Sequence, residues 1–158
     1  MSNQPRRQSA ALAFDRDEWE LIVTLPRRVL MTALASAPGE RRAAEGIAGI
    51  EAIASGLASP SSLVREVVGS IYSENHREPE ELIGDGDVGA VQTLAACRYA
   101  SEVLGARCDP HDAAAYRQWV SHIAAVVTGV AQTDTAHTGR LALAENRFVY
   151  ALGGVLRP

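Results

Sequence analysis

Apolar residues recur along this chain at three- and four-residue intervals, the spacing that gathers side chains on one face of an α-helix. The first run opens with a capping box, Asp15 followed three residues later by Glu18. Phe14 before the cap and Trp19 behind it form a hydrophobic staple. Trp19, Ile22 and Val23 lead up to Pro26, which lacks the N–H that an interior turn needs. A kink or a restart is therefore expected there, with Pro26 in a first turn. Val29, Leu30, Ala33 and Leu34 line the second piece, Arg27 to Ser36, which Pro38-Gly39 ends.

Glu40 to Ser55 reads as a weaker amphipathic helix, with Ile47, Ile50, Ile53 and Leu57 recurring among alanines. Gly46, Gly49 and Gly56 each cost about 1 kcal/mol relative to Ala in a helix. Close approach of a neighbouring helix is the expected compensation. Ser59-Pro60 reads as a cap and first-turn proline for a helix carrying Leu63, Val64, Val67, Val68, Ile71 and Tyr72, to about Glu74. Asn75 to Gly86 is polar and acidic, a loop. Asp87 then caps a helix running to Leu104, with Gly105 as its stop. Asp109-Pro110 starts the longest helix, to about Ala131, lined by Tyr116, Trp119, Val120, Ile123, Val126, Val127 and Val130. Gln132 to Gly139 is a polar loop, and Leu141 to Leu156 is the last helix. No run alternates as a strand would. The pattern predicts an all-α, single-domain bundle of about six to seven helices. Residues 1–13 carry no periodic pattern and read as a disordered tail, leaving 14–158 as the helical domain.

Composition narrows the function. The chain has 158 residues, 15 basic and 19 acidic, for a net charge of −4. Three scattered pairs, Arg6–Arg7, Arg27–Arg28 and Arg41–Arg42, do not make the basic stripe of a nucleic-acid binder. Every basic residue is Arg, which excludes Schiff-base chemistry and a P-loop lysine. Abundant Arg and Ala with no Lys point to a GC-rich bacterial genome. No charge-free apolar run reaches about 18 residues, so no membrane span is expected. The five apolar residues after Arg6–Arg7 are too few for a signal sequence. Cys97 and Cys108, without a CxxC spacing, read as reduced, structural thiols. A cytoplasmic protein is expected.

One internal echo stands out. Trp19 and Trp119 each lie in an Ala-rich helical segment, and 26 residues after each comes Ala-Glu: Ala44-Glu45 and Ala144-Glu145. The pattern reads either as a duplicated helical hairpin or as the chance identities of an Ala-rich chain. An Ala-rich helix, a short polar break and a helix with an early Glu resemble the TerB-like proteins linked to tellurite resistance, over residues 19–57 and 119–156. That resemblance implies an all-helical fold with acidic residues in the breaks associated with metal. The breaks here read Ala37-Pro38-Gly39-Glu40, without Asp-Gly, and Thr133-Asp134-Thr135-Ala136-His137, with one acid. The family's metal site is therefore not carried over. Glu45, Asp134 and Glu145 are the positions where the resemblance would put an ion.

Other constellations are sparse. His111 and His122 lie eleven residues apart on one helix, about 16 Å, too far to share a metal. His122, among Trp119, Ile123 and Val126, reads as a partly buried core histidine. Asp85-Gly86-Asp87 starts like a calcium loop, but Gly89 and Ala96 occupy the fifth and twelfth positions. Arg98 and Glu102 are spaced as an ion pair on a helix surface. No nucleophile elbow, dinucleotide fingerprint, Walker A or zinc motif is present. No catalytic residue, cofactor or metal is assigned, and an enzyme is not the leading expectation. A helical protein acting through protein contact, with itself as homodimer or as an adaptor, is. Its candidate faces are the Gly/Ala-rich helix at 40–58 and the last helix with Tyr150, Gly153 and Gly154. The alternatives are a TerB-like metal- or stress-associated protein and a small-ligand binder with a pocket at Tyr116, Trp119 and His122.

Overall fold

The computed structural model describes residues 9–35, 37, 39–73, 86–129 and 141–157. Six α-helices and no strand occur among them: α1 (Arg16–Ala35), α2 (Arg42–Ala54), α3 (Ser62–Tyr72), α4 (Gly86–Arg107), α5 (Pro110–Val127) and α6 (Leu141–Val155). Short 3₁₀ turns precede α1 (Ala10–Ala13) and follow α2 (Ser55–Ala58). The chain is an all-α single-domain bundle. α1 and α5 form its spine: α1 packs on α2, α3, α4 and α5, and α5 also meets α2, α3, α4 and α6. One cluster fills the interior, including Ile22, Leu25, Val29, Leu63, Val67, Cys97, Leu104, Tyr116, Val120, Ile123 and Leu152.

The start of α1 forms as its residues dictate. Glu18 N donates to Asp15 Oδ1 at 2.8 Å and Asp15 N donates to Glu18 Oε2 at 3.0 Å. Phe14 and Trp19 meet with ring centroids 5.7 Å apart. The Glu18 carboxylate, nearly buried, also receives Arg107 from the last turn of α4, with Nη2 to Oε1 and Nε to Oε2 both at 3.1 Å. One side chain thus closes the capping box of one helix and pairs with the arginine in the last turn of another.

Pro26 requires a correction. It does not open a second helix in a first turn; it lies buried in the interior of one helix, Arg16–Ala35. Its missing N–H orphans the carbonyl four residues back, that of Ile22. The Tyr116 hydroxyl, fully buried on α5, donates to that carbonyl at 2.7 Å. A donor from another helix replaces the one proline removed, so the helix continues.

Other boundaries move for equally local reasons. The cap of α3 is Ser61, not Ser59: its Oγ accepts from Val64 N at 3.3 Å. The chain first runs through the 3₁₀ turn, and Ser59 Oγ accepts from Ser61 N at 3.2 Å. α4 begins at Gly86, so Asp87 lies inside its first turn rather than at the cap, and it passes through Gly105 to Arg107. α5 starts as expected, with Asp109 Oδ1 accepting from Asp112 N at 3.0 Å. It ends at Val127 rather than Ala131, because Gly129 takes a φ of 68°, the left-handed conformation that stops a helix. The loops expected at 75–86 and 132–139 lie almost wholly outside the described residues. Of the expected tail, Ala10–Ala13 form a 3₁₀ turn. Ser9 Oγ and Ala10 N donate to the Glu66 carboxylate of α3 at 2.7 and 2.9 Å.

Candidate functional site

The proposed pocket residues are divided by the fold. Tyr116 and Trp119 are buried together, ring centroids 5.9 Å apart and nearly perpendicular. Both of their polar atoms are committed to backbone: Tyr116 Oη to Ile22, and Trp119 Nε1 to the Ala52 carbonyl at 3.1 Å. Burial pushes the Tyr116 phenol well above its ordinary pKa. His122 does not join them. It is exposed, a correction to the core reading, because the inward stripe of α5 runs through Tyr116, Val120, Ile123 and Val127, and residue 122 falls off it.

Of the candidate metal positions, only Glu45 has a described side chain. Glu45 sits near the start of α2, its side chain 14% exposed and 3.9 Å from Arg41 Nε. Glu145 belongs to α6, but its side chain, like Asp134 altogether, lies outside the described residues. Among the described residues no group of three His, Cys, Asp or Glu side chains could hold an ion. The two tryptophans of the internal echo occupy different surroundings: Trp19 is half-buried against Phe14, while Trp119 closes the end of α2.

The thiols form no disulfide. Burial pushes Cys97 up to about 12, against the opposing charge of Arg28. Burial, with the carboxylates of Asp112 and Asp109, pushes Cys108 up to about 11. Neither is a thiolate near neutral pH, which suits a structural role.

The feature whose orientation the sequence did not disclose is on α2. Of its large apolar residues only Ile53 enters the core. Ile47, Ile50 and Leu57 remain 61%, 54% and 55% exposed. The helix and the 3₁₀ turn after it put their small side inward instead, through Gly49, Ala52 and Gly56. A Cβ on Gly49 would stand 2.8 Å from Val127 Cγ2 and closer still to Leu30; one on Gly56 would stand 2.7 Å from Val68 Cγ2 and 2.9 Å from Trp119 Cε2. Gly49 lets α2 press against α1 and α5, Gly56 lets the 3₁₀ turn that follows press against α3 and α5, and the large side is left facing out. The signal was present as glycine and alanine at helical spacing, but isoleucines are the stronger hydrophobic mark and drew the face the other way. Tyr150 of α6, at 82% exposure, is a further exposed large side chain on a candidate face. No helix among the described residues is long and apolar enough to cross a membrane. No protein family, curated protein or solved structure matches the chain.

Proposed function

We propose that this protein works through protein–protein contact, and that its partner is a second copy of itself seated on the outer face of α2. The observation that carries the reading is the inverted burial of this helix and the 3₁₀ turn after it, small residues in and Ile47, Ile50 and Leu57 out. Contiguous exposed aliphatics on a globular protein mark a contact surface more often than isolated ones do. Ala43, Ile47, Ile50 and Ala54 are spaced by four, three and four residues, the seam of a two-helix contact. The seam carries no charge and reads the same in both directions. A second α2 laid antiparallel sets Ile47 against Ile50 and Ala43 against Ala54, and the two-fold axis repeats both pairs. Self-complementarity of this kind is what a symmetric dimer requires.

Sedimentation velocity over a micromolar to high-micromolar series tests the proposal. A concentration-dependent dimer is expected, and Ile50→Asp should abolish it while leaving the helical circular dichroism unchanged. A wild-type chain that stays monomeric across the series would overturn it.

A further inference from the structure

We draw no further inference here: the strongest candidate, the buried Nε of Arg28 where α1 faces Cys97 of α4, has no hydrogen-bond partner, but it is sealed from solvent and no second group beside it points to a ligand.

Discussion

Tyr116 shows how one side chain lets the sequence break a local rule. A proline inside a helix ordinarily costs about 3 kcal/mol, part of it the lost hydrogen bond. Here the Ile22 carbonyl that Pro26 leaves open is taken by the phenol of a residue 94 positions away. Tyr116→Phe should therefore destabilise the protein by about 1–3 kcal/mol, the cost of an unsatisfied buried acceptor. The effect is specific to the proline: in a Pro26→Ala background the helix recovers its own N–H donor, and the same Tyr116→Phe change should cost clearly less. A double-mutant cycle from urea melts measures the difference, and equal costs in both backgrounds would refute the pairing. Cys97 yields a pH prediction of definite sign. Its folded pKa, about 12, stands above the reference of 9.0 expected of the unfolded thiol. The protonated thiol is favoured by the fold, so its contribution is complete below pH 9 and is lost as pH rises from there towards 12. Cys97→Ala should lower stability at pH 8 through lost packing, yet show a shallower decline than wild type between pH 8 and pH 10. Urea midpoints at the two pH values read this directly.

Among elements, α2 is the one whose packing was least legible. The capping box and staple of α1 and the Asp109-Pro110 start of α5 could be read from sequence because each is closed by neighbours within a few residues. Pro26 and Gly105 could not, because what carries the chain through them is distant: Tyr116 for the first, the Arg107–Glu18 pair just beyond the second. Residue types at helical spacing say that α2 has two unlike sides; only the neighbours decide which side goes in. Leu30, Val68, Trp119 and Val127 are large, and they take the small side. Glycine substitutions test this account. At Gly46 a Cβ would meet only Leu34 Cδ1, at an ordinary 3.7 Å. Gly46→Ala should therefore stabilise by about 0.5–1 kcal/mol, the helix cost of glycine recovered. Gly49→Ala should instead destabilise, by about 1–3 kcal/mol, because Leu30 and Val127 must move. Thermal melts of the two variants should shift in opposite directions. A stabilising Gly49→Ala would mean that α2 does not lie against α1 and α5 as described. Of the candidate site, the segment at 40–58 was legible as a face from its composition, whereas the pocket of Tyr116, Trp119 and His122 was not. Sequence proximity grouped those three, and helix rotation separates His122 from the two aromatic rings.

At the scale of the whole molecule, the dimer proposed through the outward-turned Ile47 and Ile50 would make stability and association two aspects of one equilibrium. The interior is complete without these side chains: the core already engages both spine helices along their length, and Ile53 alone anchors the large residues of α2 to it. Removing an exposed isoleucine should thus leave the folding of a single chain almost untouched, since surface changes away from special features stay within about 0.5 kcal/mol. The proposed association would add a term that depends on mass action, because a partner that binds only the folded chain stabilises it in proportion to the logarithm of its concentration. The wild-type melting temperature should therefore rise with protein concentration, whereas that of Ile50→Asp should stay flat and coincide with the wild-type value at high dilution. Calorimetry on both proteins over the same concentration range separates two causes that a single melt would merge. A variant that melts lower at every concentration would place Ile50 in the fold, not in a contact. A wild-type curve without concentration dependence would leave the apolar face of α2 without a second copy to cover it.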